Sequence, residues 1–158
     1  MFKEMSNLPY FLIAVLFIFA LVFFAWFRQK DARNVRERFK DILIATYGVQ
    51  YFGRESEKGD LLDSSGQLLF LRQGLFYRGR FDKRELMIPK EKLISVAVTD
   101  HHKGKLTYQV CLAIYFMNEN EIIDRAAFTI PYPKQFIEAI NHYFLNGRQI
   151  KVKKELLE

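Results

Sequence analysis

Few side chains in this 158-residue chain are of types that do chemistry, and they are scattered. His101 and His102 stand together in Asp100-His101-His102-Lys103, and the third histidine, His142, lies far downstream. Two histidines beside an aspartate are metal-ligand types. Neighbours on a turn rarely aim at one point, however, so they are expected to be solvated loop residues with no metal site. Cys111, the one cysteine, sits inside an apolar run with no histidine or cation pattern to activate it, and is expected to pack as a small apolar group. Glu55, Glu57, Asp60 and Asp63 share a polar stretch, but Asp-Leu-Leu-Asp-Ser-Ser-Gly lacks the alternating ligands of a calcium loop. No glycine-rich phosphate cradle occurs. Arg78, Arg80, Lys83 and Arg84 form the densest basic group in the strand-rich region, a candidate partner or anion site. The competing reading is a charged sheet face kept from edge pairing. No catalytic residue, metal or cofactor is expected, and no nucleic-acid recognition motif is present.

The elements that would position these residues begin with Pro9–Phe27, PYFLIAVLFIFALVFFAWF, in a stretch without charge from Glu4 to Arg28. Such a run, at ~1.5 Å per residue, is long enough to cross a ~30 Å hydrocarbon core. A cleaved signal would want a shorter run and a small-residue cleavage site, and a soluble core helix would want apolar neighbours on all sides. The reading preferred over both is a retained single span at 9–27, with Tyr10 and Trp26 at headgroup level. Lys3 precedes it, whereas Arg28, Lys30, Arg33, Arg36, Arg38 and Lys40 follow it. The positive-inside rule then leaves 1–8 outside the cell and the C-terminal part in the cytoplasm of a plasma (inner) membrane protein. A lone cysteine agrees with that reducing compartment. Residues 28–46 are expected to form a basic juxtamembrane helix with Val35, Phe39, Ile42, Leu43 and Thr46 on one apolar stripe: either a solvated linker whose stripe docks on its own domain, or a surface helix whose cations, with Trp26, are candidate contacts to anionic lipid. Association of spans through Ala14, Ala20 and Ala25, giving a homo-oligomer, stays open.

Beyond the helix, short strands are expected at 47–52, 67–72, 75–81, 84–88, 93–99, 106–117 and 121–130, separated by turn signals. The longest, Leu106–Met117, alternates throughout, with Leu106, Tyr108, Val110, Leu112, Ile114 and Phe116 assigned to one face. Pro133 opens an amphipathic helix over 134–146 with Phe136, Ile137, Ile140, Tyr143 and Phe144 on its apolar stripe. A charged tail, 148–158, follows.

This order of elements resembles the pleckstrin-homology-like superfold, including its GRAM and bacterial branches, over about residues 47–147. The resemblance is carried by Gly74-Leu75-Phe76-Tyr77, by Ile88-Pro89-Lys90-Glu91-Lys92-Leu93-Ile94-Ser95-Val96, and by Pro133–Ile140 at the place of the capping helix. It implies an α+β fold: one transmembrane helix, then a strongly bent antiparallel sheet capped by a C-terminal helix. It also implies a binding module rather than an enzyme. The expected role is a membrane-tethered interaction module that holds a partner protein or membrane complex near the bilayer, and the alternative is a sensor of anionic lipid headgroups.

Overall fold

The computed structural model describes residues 8–59 and 64–145. Residues 1–7 of the expected outer segment 1–8, the Asp60–Asp63 part of the polar loop, the last residue of the expected helix 134–146 and the tail lie outside the described residues. The chain divides into two units, 1–40 and 41–158.

The first unit is helix α1, Leu8–Arg38. Its segment Pro9–Phe27 is long and apolar enough to cross a membrane, and its large side chains are exposed all around the helix. A helix apolar on every side has no solvated face, so it suits a lipid surround better than the surface of a small domain. The expected helix over 28–46 is continuous with this segment but stops at Arg38, and Ile42–Thr46 are strand. The run Ile-Leu-Ile-Ala-Thr is rich in β-branched residues, which favour pleated backbone.

The second unit is a seven-stranded antiparallel sheet: β1 (Ile42–Arg54), β2 (Ser64–Leu71), β3 (Gly74–Gly79), β4 (Glu85–Pro89), β5 (Leu93–His102), β6 (Lys105–Met117) and β7 (Ile123–Thr129). Helix α2 (Pro133–Ile140) follows and runs into a π-helical turn, Asn141–Leu145. The strand order is β4-β3-β2-β1-β7-β6-β5. Strand β1 is the hinge of this sheet. It pairs with β2 from Ile42 to Tyr51 and with β7 from Gln50 to Arg54. Of its three register shifts, those at Tyr47/Val49 and Tyr51/Arg54 each fall at a glycine of positive φ, Gly48 at 70° and Gly53 at 91°, and the third lies at Ile42/Ile44. Glycine enters this region without a Cβ penalty, so the strand can turn from one half of the sheet to the other.

Inside the bend lies one aromatic-rich core. Tyr51 packs on Phe128 and Tyr77, with ring centroids 5.0 and 4.8 Å apart. At the other end, Phe70 meets Phe136 of α2 at 6.0 Å and Phe144 at 4.5 Å. The amphipathic stripe expected on the last helix therefore caps the core, through Phe136, Ile140 and the partly buried Ile137 and Phe144.

Strand β6 departs from the expected alternation. Leu112, Ile114 and Phe116 enter the core, but Leu106, Tyr108 and Val110 are exposed. The pairing with β5 jumps from Thr99↔Cys111 to His101↔Leu106, and Tyr108 takes φ 56°. The intervening residues bulge, and Thr107 Oγ1 fastens the bulge by donating to the backbone of Asp100 at 2.8 Å or Gln109 at 2.8 Å. Period two fixes which face a residue takes only while the ladder is regular.

Candidate interaction mouth

Three chain segments surround an open depression of about 850 Å³ that runs from the end of β1 along β4. The first is Tyr51, Arg54, Glu57 and Lys58, from the end of β1 and the loop after it. The second is β4 with its flanks: Arg84 to Met87, Pro89 and Lys92. The third is the β6–β7 hairpin, with Phe116, Met117, Asn118 and Glu119. Asn118 builds that hairpin: its Oδ1 accepts from Asn120 N at 2.8 Å and Ile122 N at 3.1 Å. Burial pushes the Tyr51 phenol above its ordinary value, so this wall is neutral at every physiological pH.

The mouth is polar but balanced. Arg54, Lys58, Arg84 and Lys92 line it with Glu57, Glu85 and Glu119. Arg54 Nε pairs with Glu57 Oε1 at 3.1 Å, and Arg84 Nε with Asp82 Oδ2 at 3.3 Å. Lys58 and Lys92 make no ion pair with another described residue.

The β3–β4 hairpin brings the four expected basic residues into one neighbourhood. Arg78 reaches Glu85 Oε1 at 3.1 Å, and Arg80 leaves the strand after Gly79 with its N–H donating to Ser65 O at 2.8 Å. Lys83 is exposed on the turn at φ 52°. Of the four, Arg84 lines the mouth. The juxtamembrane candidates Arg28, Lys30, Arg33, Arg36 and Arg38 all lie on α1, and Lys40 just beyond it. Lys30 Nζ stands 5.0 Å from the Trp26 ring, a cation–π geometry within the expected lipid-contact group.

The loop beside the mouth is locked by a buried polar cluster that sequence reasoning missed. His101 is exposed beside Asp100, as expected of a loop residue, but His102 is 0% exposed. His102 Nε2 lies 3.0 Å from Gly53 O, which can only accept, so this nitrogen carries the proton. Nδ1 faces Glu55 Oε2 at 3.2 Å. The same oxygen accepts from Arg125 Nε at 3.1 Å, Arg125 Nη2 at 2.8 Å and Lys103 N at 3.3 Å. Next to it, Asp124 accepts from Ser56 N at 3.1 Å and Ser56 Oγ at 2.5 Å. Lys103 Nζ donates to Glu57 O at 2.8 Å. Burial, with Arg125 and Lys103 nearby, holds the His102 imidazole below its ordinary value against the pull of Glu55. Cys111 is fully buried beside Thr107, with Sγ 3.3 Å from its hydroxyl. Among the described residues, no three metal-ligand side chains converge.

Seven antiparallel strands on a hinged β1, closed by one C-terminal helix, form the architecture that the resemblance implies. The fold is pleckstrin-homology-like. Among solved structures, the chain is similar to the Vps36 N-terminal PH domain, at 18% identity over 68% of this chain and 80% of that one, with a TM-score of 0.49. No family model and no curated protein matches the chain.

Proposed function

We propose that the chain is a single-pass protein of the plasma (inner) membrane whose cytoplasmic PH-like domain holds a partner protein close to the bilayer and catalyses no reaction. The span is the Pro9–Phe27 part of α1, and the cations from Arg28 to Lys40 set its orientation and meet anionic lipid. One observation carries the choice of a protein partner: charges of both signs and apolar side chains line the mouth together, from the far end of β1 along β4 to Pro89 and Lys92 beside the β2–β3 turn. The balanced charge of the mouth, with apolar wall from Leu86, Met87 and Phe116, suits a mixed polypeptide surface more than a phosphate cluster. Confinement to a thin layer raises the local concentration of the domain, so a modest contact suffices.

The test is co-purification from mild detergent with the full-length chain as bait. A defined partner is expected with the wild type and should be lost from the double variant Lys58→Glu/Arg84→Glu. A chain that travels alone, or a partner indifferent to the variant, overturns the reading. Lys58 and Lys92, cations without a described ion pair, favour a second reading in which the mouth grips an anionic headgroup. Saturable binding of a soluble inositol phosphate, lost in the same variant, would select it.

A further inference from the structure

Strand β4 is the last strand on its side of the sheet, next to β3. Its register with β3 decides which of its backbone groups are used. Gly79 N–H donates to Arg84 O at 2.7 Å, and Lys90 N–H to Gln73 O at 3.0 Å. Bonded pairs recur at every second residue of an antiparallel ladder, so Arg84, Leu86, Ile88 and Lys90 turn their backbone groups to β3. Met87 stands opposite Phe76 in a non-bonded pair, so its N–H and C=O point away from β3. Met87 is 39% exposed, and among the described residues no strand pairs with β4 on that side.

The mouth follows this edge. Arg84, Glu85, Leu86 and Met87 all line it, although consecutive residues of a strand point to opposite faces. Four in a row share one depression only where it runs along the edge itself. Across the opening stand Phe116 and Met117 of β6. Leu86 is partly buried against the core and Phe116 is buried in it, so the gap between them is apolar.

The edge also limits what can add to it. Pro89 has no N–H and ends the row of donors, and Glu85, paired with Arg78, sets a charge on the other side of Met87. Such residues keep an edge from pairing at length with another sheet. They bracket Met87, which leaves room for a short segment and not for the long edge of a second copy. Charge narrows the choice further. Arg54, Glu57, Arg84 and Glu85 are held in ion pairs within the domain, which leaves Lys58 and Lys92 against Glu119 in the lining. That excess of cation suits an acidic side chain on the segment.

We propose that the partner enters the mouth as a short extended peptide that adds to β4 as a further strand. The peptide exchanges hydrogen bonds with the N–H and C=O of Met87. An apolar side chain beside Leu86 fills the gap toward Phe116, and a flanking carboxylate meets Lys92. Main-chain bonds supply the affinity and the side chains the choice of sequence. The proposal rests on the mouth being the partner site.

The probe is a library of random linear peptides displayed on phage and selected against the full-length chain in mild detergent. Enriched peptides are expected to carry an apolar residue with acidic neighbours. Methylating their amide nitrogens one at a time is expected to weaken binding at alternate positions only. Met87→Pro removes the outward donor without touching the β3 ladder, and is expected to weaken binding about tenfold, the equivalent of one or two hydrogen bonds. Met87→Ala keeps the backbone and is expected to lose much less. If Met87→Pro fails to fold, hydrogen exchange in the wild type reads the same contact. The peptide should slow exchange at the Met87 amide and leave Leu86 and Ile88, already bonded to β3, unchanged. A library without a binder, a methylation pattern without period two, or a Met87 amide indifferent to the peptide overturns the strand addition. The co-purified partner tests the mouth separately. A partner lost from Lys58→Glu/Arg84→Glu but held by Met87→Pro overturns the added strand and leaves the mouth, whereas a chain that travels alone removes both.

Discussion

Two groups of charge stand at the mouth end of the domain, and they differ in every physical respect. The cluster of Glu55, His102, Arg125, Asp124 and Ser56 is largely buried and hydrogen-bonded across segments far apart in sequence. The group Arg78, Arg80, Lys83 and Arg84 sits on one hairpin, and its ion pairs, Arg78 to Glu85 and Arg84 to Asp82, are local and partly solvated. Buried charge that loses a partner is costly, whereas an exposed pair contributes little to stability. The first group therefore fixes the loop that frames the mouth, and of the second Arg84 lines the mouth itself.

The contrast is broken most strongly at Arg125. Arg125→Ala leaves Glu55 Oε2 without two of its donors and is expected to cost about 3 kcal/mol in urea unfolding of the full chain in mild detergent. A cost near zero would make the cluster ornamental. Asp124→Ala strands the Ser56 N–H and hydroxyl and is expected to cost about 2 kcal/mol, with faster proteolysis after Arg54 or Lys58 as the local readout. A smaller, pH-dependent effect belongs to His102. Its imidazole is held below the ordinary value in the folded domain, so the unfolded chain takes up the proton first as pH falls below about 6.5. The stabilisation is complete above that pH and declines beneath it. His102→Gln should flatten the slope of stability between pH 7 and pH 5, and an unchanged slope would move its origin elsewhere. The smallest stability effect is expected from Lys58→Glu/Arg84→Glu, under about 0.5 kcal/mol, even as partner capture is lost.

Regular segments were legible in the sequence, and points where the backbone breaks its rhythm were not. The core positions Leu112, Ile114 and Phe116 follow from alternation, and the cap formed by Phe136 and Ile140 follows from helical spacing after Pro133. The first half of β1 was misread because Ile42–Thr46 continues the apolar stripe of the basic helix, and Gly48 and Gly53 divide the strand into pieces too short to recognise. The basic group was visible as a local run, with Arg84 set against the mouth. His102 was not, because its burial is decided by Gly53 and Glu55 on a distant strand and loop, and a pair of histidines between Asp100 and Lys103 carries no trace of them.

Strand β1 also has a mechanical consequence. The chain enters at Ile42, the mouth lies by Arg54, and the strand between is bonded to β2 along its first part and to β7 along its last. A pull entering at Ile42 along the strand would shear its ladders, with many bonds sharing the force, instead of peeling them apart one rung at a time. A domain wired this way is suited to staying folded under tension.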